Sequence, residues 1–206
     1  MKILFICSNL IGDTILSTGA IRHFIEKYKN SKLTFVVGPT AAPLLINYKN
    51  IEEVIIFKKK KINLHWVDIF KKTFGKKWDI IVDFRSSLIS YVLIHNKKYI
   101  FKKNHIKHHI DQLTESFGFD CSNLNIPTNF KEQTLVDNHL NKLNTHIVIF
   151  PGGNWAPKIW SSKNYNLLMR SILNKFHKTK FILVGSTSEK NKFINELTKK
   201  IKNENI

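Results

Sequence analysis

Three short stretches place chemistry-bearing side chains where a ligand could meet them. The first is Gly12-Asp13-Thr14 in SNLIGDTILSTGAI, between an apolar run and an amphipathic one. A carboxylate there follows a strand, at the sheet end where open α/β folds bind their ligands. Two readings stand side by side. Asp13 caps the helix while Gly12 permits a tight turn, or Asp13 faces a cleft as a general base near an acceptor hydroxyl. The two demand different tuning, because capping lowers a carboxylate's pKa. The second stretch is PGGNWAPKIWSSKNY (151–165). Pro151-Gly152-Gly153 frees backbone N–H groups, Ser161 or Ser162 can cap the next helix, and Lys158 precedes it. Backbone donors, a positive helix end and an ammonium make an anion site suited to a nucleotide diphosphate. An ordinary turn with a solvated lysine is the plainer alternative, and the spacing is not that of a Walker loop. The third is Gly185-Ser186-Thr187-Ser188-Glu189, after FILV. It reads as a capped helix start with an acid in the first turn, or as a site where Glu189 accepts hydrogen bonds from ribose hydroxyls.

Other groups carry less. His105, His108 and His109 in KKNHIKHHID have no carboxylate or cysteine at metal spacing and read as a solvated loop, so no metal site is expected. Trp155 and Trp160 could line a pocket, but core packing is the default for such side chains. Charge is more telling. The chain carries 33 basic and 15 acidic residues for a net charge of +18, and all but Arg22, Arg85 and Arg170 of the basic ones are lysines. Base readout favours the bidentate guanidinium, so nucleic acid is not the expected partner. Residues 58–109 hold 14 of the basic residues and only 3 acidic ones. Within them, KKKKINLHWVDIFKKTFGKKW interleaves lysines with Leu64, Trp66, Val67, Ile69, Phe70 and Phe74. That pattern suits an interfacial segment on anionic lipid, or a solvated basic face over an ordinary core helix.

The elements that must position these residues follow from periodicity. Apolar runs at 2–7, 33–37, 54–57 and 79–84 read as buried strands, with a short strand at 99–101. Amphipathic stretches at 14–28, about 65–75, 86–95 and 109–117 read as helices. Unbroken apolar strands alternating with helices mean a parallel, doubly wound α/β sheet. The polar, unperiodic CSNLNIPTNFKEQ (120–132) is the linker. After it come a helix at 133–143, strands at 146–150 and 180–185, and helices at 162–176 and 187–202. The expected domains are 1–125 and 126–206, and the second has too few strands for a stable sheet of its own.

At 206 residues and 43% hydrophobic, the chain can bury a core and is not disordered. Cys7 and Cys121 lie far apart and suit a reducing compartment. No apolar run approaches the ~20 residues of a bilayer span. A cytoplasmic protein is expected, peripheral at the inner face of the plasma membrane if the polybasic segment engages lipid.

In this order, SNLIGDTILSTGAIRHF, DIIVDFRSSLIS, FPGGNWAPKIWSSKNYNLL and FILVGSTSEK resemble the bacterial heptosyltransferases of glycosyltransferase family 9. The resemblance covers essentially the whole chain. It implies two Rossmann-like domains facing a cleft, the GT-B arrangement, with the acceptor on the first and the sugar nucleotide on the second. It also implies inverting, metal-independent transfer of a heptose from ADP-heptose to a lipid-linked saccharide, the lipopolysaccharide inner core. By position, Asp13 matches the family's base, with Gly12 beside it. Gly153 and Asn154 fall near the diphosphate, Lys158 at the phosphate-binding lysine and Glu189 at the ribose-binding acid. No cofactor is implied. Family members continue further, with an Asp-Thr-Gly-type segment and a histidine around the donor, and nothing in KIKNENI or before it replaces them. The resemblance therefore implies a truncated, split or decayed member with an incomplete second domain. The rival from another class is a non-catalytic nucleotide-binding or membrane-associated protein on the same scaffold.

Overall fold

The computed structural model describes the chain apart from residues 59–61, 63, 141–144, 154, 187–193, 195, 200 and 203–205. It divides into two compact units, Met1–Asn129 and Phe130–Ile206.

The first unit is built on β1 (Lys2–Ile6), β2 (Lys32–Val37), β3 (Ile51–Ile56), β4 (Trp78–Asp83) and β5 (His95–Ile100). They form one parallel sheet in the order β3-β2-β1-β4-β5. The alternation of side chains along β1 sorts the core into two layers. Ile3, Phe5 and Cys7 face one side, with α1 (Ile11–Lys27) and α4 (His109–Phe117) packed over them through Ile21, Phe24, Leu113 and Phe117. Leu4 and Ile6 face the other, covered by α2 (His65–Thr73) through Ile69 and by α3 (Ile89–Val92) through Ile89. A sheet covered on both faces is why its strands read as unbroken apolar runs.

The helix expected over 86–95 is corrected to the single turn of α3, and β5 begins at His95 rather than Tyr99. The cause is Asp83. Its fully buried carboxylate accepts the Arg85 N–H (2.8 Å), the Ser87 N–H (2.7 Å) and the Ser87 hydroxyl (2.6 Å). Those bonds wrap residues 84–87 into a turn, with Ser86 at φ +53°, so the helix starts only at Ile89, and at Leu93 the backbone is already extended toward β5.

In the second unit, α5 (Phe130–His139) precedes β6 (Thr145–Ile149), α6 (Ser162–Lys175) and β7 (Thr179–Leu183). The two strands pair in parallel. The core is small: Ile149, Met169, Phe181, Leu197 and Ile201. Asn166 ties the C-terminal segment to α6 by donating to the carbonyls of Leu197 and Lys199 (2.8 and 2.7 Å). The helix expected over 187–202 falls mostly outside the described residues. Among the described residues, no helix is long and apolar enough to cross a membrane. Cys7 and Cys121 are free thiols, both buried, and burial pushes the Cys121 thiol up to about 11.

Candidate functional site

Asp13 stands in the first turn of α1, just beyond the carboxyl end of β1, where an acid is favoured by the helix dipole. It does not cap the helix, and Gly12 forms no tight turn. The helix starts earlier than the apolar spacing suggests, at Ile11, with Leu10 in the cap position and no side chain capping it. The reason is Ser8. Its hydroxyl accepts the Leu10 N–H (3.2 Å) and donates to Asp13 Oδ2 (3.0 Å), so the carboxylate is held toward the loop instead of the helix amides. A Cβ placed on Gly12 would meet nothing within 4 Å, so the space next to this residue is open.

The loop carrying Ser8 is braced from β2. A Cβ on Gly38 would lie 2.7 Å from the Asn9 Cα, so only glycine allows this approach, and the Thr40 hydroxyl donates to the Asn9 carbonyl (2.9 Å).

Asp13 lines a cavity of about 460 Å³ at the carboxyl end of the sheet. The cavity also gathers Arg85 and Ser86 from the β4–α3 turn, Lys103 from the β5–α4 loop, and His109 at the start of α4. The sheet order explains the convergence: β4 lies between β1 and β5, so the loops after all three meet. Arg85 is held there by its neighbours. Its guanidinium carbon lies 5.0 Å from the Trp66 ring centroid and 5.3 Å from that of Phe57, and Nη1 donates to Asn9 Oδ1 (3.4 Å). Burial lowers its pKa from the ordinary value, opposed by the charge of Asp83. Gln112, also lining the cavity, fastens the lysine-rich loop by accepting the Asn104 N–H (2.9 Å) and donating to the Lys107 carbonyl (2.6 Å).

Local spacing gives Arg85 and Lys103 no role and places His109 in a solvated loop. The structure instead puts His109 in Asp13's cavity, its ring 5.0 Å from that of Phe101. One signal pointed to Arg85: an arginine directly after a buried strand, in a chain of lysines.

In the second unit, Ser161 caps α6, its hydroxyl accepting the Asn164 N–H (3.2 Å). Lys158 ends a 3-10 turn, Ala156–Lys158, in the loop between β6 and α6, with Nζ 5.6 Å from the Trp155 ring centroid. Gly153 is exposed in the same loop, where a Cβ would make ordinary contact with Ile159 (3.8 Å). Asn154 and Glu189 lie outside the described residues. Trp155 and Trp160 are not core residues. They are 61% and 46% exposed, Trp160 resting edge-on against Tyr165. Among the described residues, no cluster of three or more His, Cys, Asp or Glu could hold a metal ion.

No protein-family model and no curated protein sequence matches the chain. Solved structures do. The E. coli heptosyltransferase WaaC with ADP superposes with a TM-score of 0.66 at 14% identity, over 97% of this chain and 72% of that one. The glycosyl transferase family 9 protein of Veillonella parvula gives 0.72 at 16% identity, over 100% and 68%. The E. coli ADP-heptose lps heptosyltransferase II gives 0.68 at 16%, over 100% and 70%. The chain has the heptosyltransferase fold. That fold accounts for the restart of the α/β pattern after residue 144 and for two units, each with a parallel sheet.

Proposed function

We propose that the protein is a glycosyltransferase that moves a heptose from ADP-heptose to a lipid-linked saccharide of the lipopolysaccharide inner core, with inversion and without an obligatory metal. The observation that carries this reading is the place of Asp13, aimed by Ser8 and lining a cavity at the ligand-binding end of the sheet. One structural relative, E. coli WaaC, holds ADP in one structure and ADP-2-deoxy-2-fluoro heptose in another, which supports a nucleotide-sugar donor.

The chemistry assigns one role to each side chain. Asp13 accepts the proton of the acceptor hydroxyl as that oxygen attacks the anomeric carbon. The bond from that carbon to the diphosphate breaks, ADP leaves, and the Lys158 ammonium offsets its charge. Gly153 and Asn154 lie by resemblance at the diphosphate and Glu189 at the ribose, while Gly12 leaves room beside the base. Acceptors of this kind are membrane-bound, so the enzyme works in the cytoplasm against the inner face of the membrane, with the basic segment 58–77 toward anionic lipid.

Asp13→Asn tests the assignment. Turnover of ADP-heptose falls by ~10²–10⁴-fold while ADP affinity is unchanged. A variant that keeps the full rate and loses only melting temperature removes Asp13 as the base. ADP binding by the wild type without any turnover favours the rival, a non-catalytic nucleotide-binding protein.

A further inference from the structure

The one-turn helix α3 leaves the β4–β5 crossover thinly covered, and what it presents outward is apolar. Ile89, Ser90 and Leu93 turn inward and are buried. Leu88, Tyr91, Val92 and Ile94 turn outward, at 83%, 59%, 61% and 59% exposed. The solvent side of a crossover helix is ordinarily polar, and four large apolar side chains within seven residues reverse that rule.

The surroundings state what the patch suits. Lys98, on β5, extends over it with Nζ 3.9 Å from the Tyr91 ring centroid. From Phe84 to Ile110 the chain has six lysines and arginines and no acidic residue. On α2, packed over the same face of the sheet, Lys71 and Lys72 are exposed together with Val67. Apolar tips set in a field of lysines match an anionic bilayer, where the tips enter the headgroup region and the ammonium groups meet phosphates. The same field, on a chain of net charge +18, opposes pairing with a second copy.

We propose that Leu88, Tyr91, Val92 and Ile94, with Lys98, form a shallow insertion surface for anionic lipid. This rests on the reading of the protein as peripheral to the membrane and deepens it. It assigns the apolar contact to α3 and its flanks, outside the basic segment 58–77, and uses none of the donor or acceptor residues.

The test is flotation of the full chain with phosphatidylcholine vesicles and with vesicles containing phosphatidylglycerol. Two variants are compared with wild type: Leu88→Ser/Val92→Ser, which removes the tips, and Lys71→Glu/Lys72→Glu, which reverses charge on α2. All four side chains are exposed, and an unchanged melting temperature certifies each fold. Wild type floats with the phosphatidylglycerol vesicles only. The Leu88/Val92 variant binds them about tenfold more weakly or worse, as the loss of two inserted aliphatic side chains requires. Equal binding by that variant and wild type overturns the insertion surface. If binding then falls only for the Lys71/Lys72 variant, peripheral contact stands as electrostatics alone. Wild type that ignores both vesicles overturns the surface and peripheral contact together. Concentration-dependent dimerisation abolished by Leu88→Ser/Val92→Ser, without lipid binding, assigns the patch to self-association and overturns the proposal.

Discussion

Arg85 is one of three arginines among 33 basic residues, and its surroundings explain why lysine would not serve. A guanidinium can lie against both Phe57 and Trp66 while donating to Asn9, whereas an ammonium is a compact point charge that favours water. Lys158 is the contrasting case, a solvated cation on an exposed turn. If it meets the leaving diphosphate, Lys158→Ala weakens ADP binding by ~1.5–3 kcal/mol, the range of a charged hydrogen bond. Calorimetry checks this, and an unchanged affinity removes Lys158 from the donor site. As candidates, Asp13 and Lys158 were legible because each lies in a strand–loop–helix signature a few residues long. The rest of Asp13's cavity was not. Residues 13, 85, 103 and 109 meet only because β4 lies between β1 and β5, and no local spacing encodes strand order. Ser8 was hidden for a smaller reason: its hydroxyl takes the place of a cap, which moves the helix start to Ile11.

At the level of elements, the strap from Cys121 to Asn125 fixes α1 against the sheet. Asn125 N–H donates to the Thr18 hydroxyl (3.1 Å), the Tyr48 hydroxyl donates to the Asn125 carbonyl (2.6 Å), and Arg22 Nη1 donates to Asn123 Oδ1 (2.7 Å). The strap comes so close that a Cβ on Gly19 would lie 1.9 Å from the Cys121 carbonyl oxygen. Two effects of Gly19→Ala therefore oppose each other. Alanine gains about 1 kcal/mol of helix propensity, but overpacking against an immovable backbone atom costs about 1–3 kcal/mol or more. At 1.9 Å the clash wins. Urea denaturation will show a lower midpoint for Gly19→Ala, and a midpoint at or above wild type would mean that the strap yields. Periodicity found most strands and helices of this unit because both sheet faces are buried. It failed at α3, where Asp83 ties residues 84–87 into a turn ahead of the apolar run 88–94, and Leu93 already turns extended toward β5.

The two units differ in how much each buries. The first has five paired strands and two core layers, with Phe5 stacked on Phe35 (5.2 Å) at the centre of one of them. Among the described residues, the second has one pair of strands, with α6 over one face. Its other face carries an apolar groove of about 700 Å³, where Val148 and Val184 are exposed beside Leu135 and Val136 of α5. A two-stranded sheet is marginal by itself, because few of its backbone hydrogen bonds are shielded by packed side chains. Amides in such a region open locally, at a free energy well below that of global unfolding. Native-state hydrogen exchange will therefore separate the units. Amides of β1 and β4, whose strands are paired on both sides, will report the highest opening free energies. Those of β6 and β7 will exchange faster and together, and adding ADP will slow them if the donor binds the second unit. Uniform protection across β1, β4, β6 and β7 in the nucleotide-free chain would show that the small core around Met169 and Phe181 suffices for a sheet of two strands.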